Sequence, residues 1–297
     1  MKKRIIILDH NGGRLANQLW NFMSLYAYSL EKGYTLENYS FWRYAADFNI
    51  PFPRNYFIQF ILFGELIKHK WYRMIGAPDK FVRAMKYLYS EQVISDDGIH
   101  PIYLPPSNKT DPLSSQDEKT IYTIGWLFRN PVGIAKYRKE ILAYFRPKDR
   151  ITKKIEERIA GLRRNTDHLV GVHIRQGDYK TWAGGQYYFE QGAVRNILDE
   201  YLKFLGKSAT FVLCSDENID VDAFKGLNIQ VSNGSPVEDL FLLSKTDAII
   251  GSNSTFGAFA SYYGNIPYIV FNENIDWEYY RDKREYFENK YSTLVHY

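Results

Sequence analysis

An apolar run in the second half of the chain leads into side chains that can bind an anionic substrate. Residues 169–174 are apolar apart from His173, and Arg175 and Asp178 follow closely. The run predicts a buried strand, on which His173 and Arg175 share one side because side chains alternate along a strand. Gly177 permits a sharp turn that presents Asp178 at the rim. Because open α/β sheets bind ligands at the carboxyl ends of their strands, the pattern predicts a binding site here.

Two further predicted strands also end in polar residues. One covers residues 209–215 and runs into Asp216, and the other covers residues 248–251 and runs into a helix start. The guanidinium of Arg175 forms a fork that suits phosphate oxygens, and Asp216 can accept hydrogen bonds from a base or ribose. Hydroxyls and free N–H groups at a helix start favour a diphosphate. Taken singly, these are turn and cap residues. Together they predict a nucleotide-diphosphate site whose third loop is Ser252, Asn253, Ser254, Thr255 and Phe256.

A strand, a glycine turn and a helix also occur at the start of the chain. Residues 4–8 predict a β-strand, Gly12 and Gly13 a loop, and Arg14 the beginning of an amphipathic helix that ends at Gly33. Free backbone N–H groups and the helix dipole at such a turn favour a phosphate group. A plain connection between strand and helix explains the same pattern.

Alternating strands and helices in the second half predict an α/β fold with a doubly wound parallel sheet. The first half is less regular, with single helices predicted over residues 134–145 and 151–164. We expect an N-terminal domain, a Rossmann-like nucleotide-binding domain and an aromatic tail that crosses back over the domain junction. Their predicted ranges are 1–150, 165–271 and 272–297.

Composition narrows the class of protein. The 297 residues are 45% hydrophobic and 24% charged, as in an ordinary soluble protein, and the net charge of +4 is too small to indicate nucleic acid binding. The 25 Tyr, 19 Phe and 6 Trp suit either large cores or a carbohydrate-facing cleft. The single cysteine, Cys214, is predicted to be a buried strand residue, and the apolar run after the first residues is too short for a signal peptide. We expect a cytoplasmic protein; the sequence leaves its oligomeric state open.

One apolar stretch has two interpretations. Residues 56–63 are strongly apolar, and Lys68, Lys70 and Arg73 follow them. A buried helix with a basic end explains this pattern. The alternative is a helix in peripheral contact with an anionic membrane at the inner face, where a lipid-linked acceptor resides. The stretch is too short to span a membrane.

Three motifs in this order resemble glycosyltransferase family 11, the α-1,2-fucosyltransferases, within the wider group of fucosyltransferases that share a His-x-Arg motif. They are NGGRLANQL at residues 11–19, HIRQGDY at residues 173–179 and SNSTF at residues 252–256. The sequence departs from the family pattern at Gln176, where a second arginine is usual, and at Ala16, where glycine is usual. The resemblance involves both halves of the chain, although residues 35–165 carry none of it.

The resemblance implies a GT-B fold, in which two Rossmann-like domains face each other across a cleft, the N-terminal domain on the acceptor side and the domain of residues 165–271 binding the nucleotide-sugar donor. It implies inverting transfer of fucose from GDP-fucose to a glycan hydroxyl, an α-1,2 linkage to a galactoside, and no metal or other cofactor. Such a product belongs to surface polysaccharide or oligosaccharide synthesis. By position, Arg175 would bind the β-phosphate, and His173 and Asp216 would lie near guanine or ribose. The remaining implied donor contacts are Gly12, Gly13, Arg14, Asn17, Ser252, Asn253, Ser254, Thr255 and Phe256.

The proton acceptor and the reaction class have alternatives. Asp178 is the candidate base, because it lies just past the turn at the strand end; its other interpretation is a partner that holds Arg175. Asp220 and Asp222 match the Asp-x-Asp pattern of metal-dependent transferases, but a polar loop surrounds them, so we interpret the match as coincidental. The remaining alternatives are a transferase that uses another nucleotide-sugar and a non-catalytic GDP- or sugar-binding protein on the same fold.

Overall fold

The computed structural model describes residues 3–9, 13–51, 93–104, 111–113 and 119–281. The chain divides into two compact units, of which the first ends at Lys148 and the second begins at Asp149. Some predictions lie outside the described residues: the loop position Gly12, the apolar stretch 56–63 with the basic residues after it, and the tail beyond residue 281.

The first unit contains a parallel sheet with a strongly apolar central strand. Its strands are β1 (Arg4–Asp9), β2 (Thr35–Asn38), β3 (Val93–Ser95), β4 (Ile102–Tyr103), β5 (Thr120–Ile124) and β6 (Phe128–Arg129). The main sheet has the order β2-β1-β5-β3, and β4 pairs separately with β6. Ile5, Ile6 and Ile7 of β1 are all buried, as expected for a strand covered on both faces.

A long helix follows β1 and contributes much of the core of this unit. It is α1 (Leu15–Lys32), in which Leu15, Leu19 and Phe22 are buried as their helical spacing predicts. The helix ends at Gly33, whose φ of 67° is in the left-handed region that glycine adopts without strain. A short helix, α2 (Trp42–Ala45), comes after β2.

The single helix predicted over residues 134–145 is wrong. The structure contains two helices there, α3 (Pro131–Lys136) and α4 (Arg138–Tyr144). Asn130 caps α3 by accepting the N–H of Gly133 and starts it earlier than predicted. Tyr137 separates the helices because its φ of −101° and ψ of 26° are not helical, and its hydroxyl donates to Glu31 on α1 over 2.6 Å.

The second unit is a doubly wound parallel sheet with β7 at its centre. Its strands are β7 (Leu169–Ile174), β8 (Thr210–Ser215), β9 (Ile229–Val231), β10 (Ala248–Gly251) and β11 (Tyr268–Val270). Their order is β11-β10-β7-β8-β9, and all neighbours are parallel. Gly251 pairs with His173, and Ile174 pairs with Ser215. This register places the ends of three strands side by side.

Helices cover both faces of this sheet. They are α5 (Asp149–Arg163), α6 (Gln191–Leu205), α7 (Pro236–Leu243), α8 (Thr255–Gly264) and α9 (Trp277–Arg281). Val170 and Val172 share a core cluster with Val194 of α6, whereas Gly171, on the opposite face, lies against Leu243 of α7. The two faces together confirm the predicted α/β class.

Local capping signals fix where α7 begins. Ser235 accepts the N–H of Glu238, and the Glu238 carboxylate accepts the N–H of Ser235, so the two residues form a capping box ahead of Pro236. The described part of the tail packs on the second unit: the Trp277 ring of α9 stacks on Phe204 of α6 with centroids 5.7 Å apart. No helix in the described ranges has both the length and the apolar character that crossing a membrane requires.

Candidate active site

Arg175 lies just past the carboxyl end of β7 and is held by two carboxylates. Its Nε and Nη2 lie 2.9 and 2.6 Å from Oδ1 of Asp178, and its Nη1 lies 3.2 Å from Oδ2 of Asp216. Its Cζ also lies 5.5 Å from the ring centroid of Tyr179. Only 16% of the Arg175 side chain is exposed, so the guanidinium has a defined orientation before any ligand binds.

The loop after β8 approaches Arg175 through one carboxylate. Oδ1 of Asp216 accepts the backbone N–H of Gln176 over 2.8 Å, while Oδ2 faces the guanidinium. A Cβ at Gly177 would lie 2.9 Å from Oδ2 of Asp216, so a larger residue here would push the carboxylate away. The glycine predicted to form a turn therefore also permits the close approach of two loops.

The loop after β10 is joined to the same strand end by hydrogen bonds. The Ser252 hydroxyl accepts the backbone N–H of Arg175 over 2.9 Å, and the Ser252 N–H donates to the carbonyl of His173 over 2.9 Å. The Tyr179 hydroxyl donates to the carbonyl of Asn253 over 2.8 Å. The loops after β7, β8 and β10 therefore meet, as predicted. The loop after β8 contacts the β7 end through the Asp216 carboxylate, and the loop after β10 contacts it through hydrogen bonds to hydroxyl and backbone groups.

The start of α8 has the geometry of an anion site, with some hydroxyls already engaged. Ser254 is the N-cap, and its hydroxyl accepts the N–H of Phe256 over 3.2 Å. Ser252 and Ser254 are buried, whereas Asn253, Thr255 and Phe256 are partly exposed. The partly exposed residues are therefore the more accessible to a phosphate at this helix end. Donor binding by all five stays a prediction.

His173 is a buried, neutral histidine beside the guanidinium. Its ring stacks on Phe256 with centroids 4.8 Å apart and 23° between the planes. Burial, together with the positive charge of Arg175, lowers its pKa to about 4, so the imidazole is uncharged at pH 7. Its Nδ1 has no hydrogen-bond partner within the described part of the chain.

A pocket of about 390 Å³ opens beside Asp216, where β8 and β9 end. It lies entirely within the second unit. Polar side chains and backbone provide most of its wall, which suits a hydrogen-bonding base or ribose rather than an apolar ligand. Its lining residues are Ser215, Asp216, Glu217, Asn218, Ile219, Val231, Ser232 and Asn233.

Gln176, at a position that differs from the usual family pattern, has a structural role that the sequence did not reveal. Its side chain is buried and turns away from the guanidinium: Nε2 donates to the carbonyl of Phe189 over 3.3 Å, and Oε1 accepts from Gln191 over 3.1 Å. Gln191 in turn contacts the carbonyl of Asn218 and the N–H of Asp220. The amides therefore connect the start of α6 to the loop after β8. No sequence signal identifies this pairing, because it depends on how the loop between β7 and α6 folds back.

The remaining predicted donor residues belong to the first unit. Gly13, Arg14 and Asn17 lie at the start of α1, where Gln18 donates from Nε2 to the carbonyl of Gly13 over 2.7 Å. Arg14 is the N-cap residue and is exposed. Their contact with a donor stays a prediction.

The two aspartates that resemble a metal motif form a local turn. Asp220 accepts the N–H of Asp222 over 3.1 Å and so caps a short 3₁₀ turn over Val221–Phe224. Across the described ranges, no three His, Cys, Asp or Glu side chains are grouped in a way that could hold a metal ion. Cys214 is buried on β8, and burial raises the pKa of its thiol, as expected for a core residue.

Residues 108–291, more than half of the chain, match the model of the family described as Glycosyl transferase family 11. The chain belongs to glycosyltransferase family 11. Among curated proteins, it is 31% identical over 161 residues to galactoside alpha-(1,2)-fucosyltransferase 2 of Mus musculus, covering 48% of this chain and 43% of that protein. It is 30% identical over 162 residues to galactoside 2-alpha-L-fucosyltransferase Sec1 of Mus musculus, covering 48% and 41%. The matched region thus spans less than half of each relative.

Solved structures of fucosyltransferases share the fold of this family 11 chain. NodZ alpha-1,6-fucosyltransferase co-crystallised with GDP superimposes with a TM-score of 0.55 at 16% identity, over 92% of this chain and 96% of that one. A mutant of Arabidopsis thaliana FUT1 in complex with GDP gives a TM-score of 0.54 at 13% identity, over 92% and 72%. These likenesses confirm the predicted GT-B fold class.

Proposed function

We propose that the protein is an inverting, metal-independent fucosyltransferase that moves fucose from GDP-fucose to a hydroxyl of a galactoside, in α-1,2 linkage. The observation that carries the proposal is the forked cation Arg175, held by Asp178 and Asp216 at the carboxyl end of a central parallel strand. Membership of glycosyltransferase family 11 and relatives named as galactoside fucosyltransferases support the same reaction.

The binding groups in the second unit support a GDP-sugar as the donor. The pocket beside Asp216 binds the nucleoside, and the guanidinium of Arg175 next to it binds the diphosphate by donating hydrogen bonds to its oxygens. The N–H groups at the start of α8 add positive potential. Neutral His173 lies beside the guanidinium without adding a second positive charge. Solved structures with this fold contain GDP or GDP-fucose, which supports a guanosine donor.

The chemical step breaks the bond between the anomeric carbon of fucose and the β-phosphate oxygen. The electron pair of that bond stays on the phosphate, where Arg175 stabilises the added negative charge. The acceptor hydroxyl attacks the anomeric carbon from the opposite face, so its configuration inverts. We assign the hydroxyl proton to Asp178, whose side chain is 49% exposed and therefore accessible to an acceptor.

Arg175 and the helix start supply the positive charge that a metal provides in other transferases. The reaction as proposed therefore needs no metal ion or other cofactor. Transfer should continue unchanged in excess EDTA, measured as GDP release with a galactoside acceptor. Loss of turnover in EDTA that returns with Mg²⁺ or Mn²⁺ would refute this part of the proposal.

Replacement of Arg175 tests whether its guanidinium stabilises the phosphate that leaves. Removal of a preorganised charge of this kind raises a barrier by about 2–4 kcal/mol, so Arg175→Ala should lower kcat roughly thirtyfold to thousandfold. Arg175→Lys keeps the charge but loses the fork and should also be slower. The matched control is Arg195→Ala, which removes an arginine that pairs with Asp199 on α6 over 2.6 Å. Near-normal turnover of Arg175→Ala would contradict the assignment.

Nucleotide selectivity tests the donor. In a thermal-shift series with GDP, UDP, CMP and their sugars, GDP and GDP-fucose should stabilise the wild-type protein selectively. Arg175→Ala should lose most of that stabilisation, and Arg195→Ala should keep it. A preference for UDP would identify another nucleotide-sugar. GDP binding without turnover of any GDP-sugar would identify a non-catalytic binding protein.

The variant Asp178→Asn distinguishes two roles for Asp178, a general base and a residue that only positions Arg175. A general base contributes about 10²–10⁴ in rate, so kcat should fall by at least a hundredfold. Affinity for GDP should persist or increase, because the neutral amide competes less for the guanidinium. If most of the turnover survives, Asp178 is not the base.

We also propose a cytoplasmic location, with a glycan or lipid-linked glycan as acceptor. The membrane contact suggested by the stretch 56–63 falls outside the described residues. Co-sedimentation of the wild-type protein with anionic vesicles tests it directly. A protein that stays in the supernatant at physiological salt has no such contact.

A further inference from the structure

Three aromatic rings form a cluster in the loop between β7 and α6. The rings of Tyr179 and Trp182 stack with centroids 5.2 Å apart and 23° between the planes. The ring of Tyr187 lies 5.2 Å from that of Trp182 and 6.4 Å from that of Tyr179. Tyr179 is buried, but Trp182 is 43% exposed. The partly exposed indole gives this cluster an aromatic surface that a ligand can reach.

The backbone that carries Trp182 is strained. Ala183, which follows it, has a φ of 50° and a ψ of 38°, a left-handed conformation that is unfavourable for a residue with a Cβ. Gly184 and Gly185 continue at positive φ of 70° and 81°. Strain of this kind persists at sites where a fixed side-chain position has a use. The turn therefore supports a role for Trp182 beyond connection of two elements.

Tyr179, the buried ring of the aromatic cluster, and the nucleoside pocket lie on different sides of Arg175. The pocket lies where β8 and β9 end, and Asp216 contacts Arg175 from that direction. Tyr179 lies against the guanidinium and donates its hydroxyl to Asn253 after β10, on the other side of β7 in the sheet. A nucleotide-sugar with its base in the pocket and its phosphate at Arg175 thus has its sugar end toward the aromatic cluster.

We propose that Trp182 and Tyr187 form the binding platform for the acceptor, a neutral glycoside with an exposed hexopyranose ring. The inference rests on the proposed function and adds the residues that recognise the acceptor. A flat indole ring covers the apolar C–H face of a pyranose, while the sugar hydroxyls stay available to polar neighbours. Asp178 and Gln186, both exposed in the same loop, are those neighbours. A nucleoside base would use the separate pocket, so it would not compete with the sugar at Trp182.

The kinetic test varies acceptor and donor independently. Trp182→Ala should raise the KM for a galactoside acceptor roughly tenfold, the change that corresponds to about 1.4 kcal/mol of binding. The KM for GDP-fucose and the thermal stabilisation by GDP should match those of the wild-type protein. Trp182→Phe keeps a flat ring and should restore most of the acceptor affinity. The control is Val221→Ala, which removes another exposed apolar side chain from the same unit.

A binding measurement keeps the inference independent of turnover. Saturation-transfer NMR of methyl β-galactoside with the GDP-loaded protein should show contact in the wild-type protein and a strongly reduced signal in Trp182→Ala. An unchanged signal or acceptor KM in that variant overturns the inference. An equal rise in the KM for GDP-fucose also overturns it, since the ring would then bind the nucleotide. Failure of the proposed function looks different: the wild-type protein would not turn over GDP-fucose.

Discussion

Replacement of His173 by phenylalanine should change how stability depends on pH. Phenylalanine preserves a flat ring against Phe256 but cannot take up a proton, and it removes the buried Nδ1 that lacks a hydrogen-bond partner in the described residues. In the native protein, burial and the nearby guanidinium of Arg175 hold the pKa of His173 at about 4, against an ordinary value of 6.5. This difference makes His173 a proton-linked element of folding stability.

The direction and size of the effect follow from linkage. Above pH 6.5 the imidazole is neutral in both states. As the pH falls from 6.5 toward 4, the unfolded chain takes up a proton that the folded chain does not, so the free energy of unfolding decreases. At 1.36 kcal/mol per pH unit, the full contribution is about 3 kcal/mol. Below pH 4 both states are protonated, and the contribution changes no further.

Urea unfolding of the wild-type protein and His173→Phe between pH 7.5 and 4 measures this contribution. His168 and Asp239, whose pKa values are also shifted, are present in both proteins and cancel in the difference. The wild-type protein should lose about 3 kcal/mol relative to the variant over this range. ¹³C NMR of labelled histidine should show the His173 ring titrating near pH 4. Parallel stability curves, or titration of His173 near pH 6.5, would refute the reasoning.

Two further predictions concern packing and charge in the second unit. Gly251→Ala should lower the free energy of unfolding by about 1–3 kcal/mol, because the new Cβ would lie 2.7 Å from the carbonyl oxygen of His173. The control is Gly192→Ala, where a Cβ would meet nothing within 4 Å. This variant should be neutral or stabilising in the same thermal unfolding assay. Arg163→Ala should cost up to about 1 kcal/mol at pH 7, because Arg163 pairs with Asp247 through two hydrogen bonds of 3.0 and 2.7 Å. Burial alone would raise the pKa of Asp247, but hydrogen bonds, that of Arg163 foremost, lower it. The cost of Arg163→Ala should therefore shrink at acid pH, where the carboxylate takes up a proton; a cost that does not change with pH contradicts this.

Sequence alone predicted elements that are fixed by local signals. The strand Leu169–Ile174 was expected from a run that is apolar apart from His173, and the start of α7 at Pro236 follows a local serine cap. The division into α3 and α4 was missed because it depends on Tyr137, which bonds to Glu31 more than a hundred residues away in the chain. A helical apolar spacing contains no information about such a distant partner.

Some contacts in the candidate site were predictable from the sequence, and others were not. The meeting of Arg175 with Asp216 follows from a general rule, since the carboxyl ends of neighbouring parallel strands lie at one edge. The buried pairing of Gln176 with Gln191 and the stacking of Trp182 on Tyr179 depend on the path of one irregular loop. Loop paths arise from many weak contacts, so no periodic pattern predicts them.

Because two carboxylates already pair with Arg175, an anion that binds here must replace at least one of them. Together the three groups carry one net negative charge, and Oδ1 of Asp178 already occupies a position that a phosphate oxygen would take. Asp178 is the more exposed of the two carboxylates, so we expect it to be the group that a phosphate displaces. A ligand that offers only an anion gains little from this exchange. We therefore expect the site to bind inorganic phosphate weakly and to favour an anion that brings further contacts of its own.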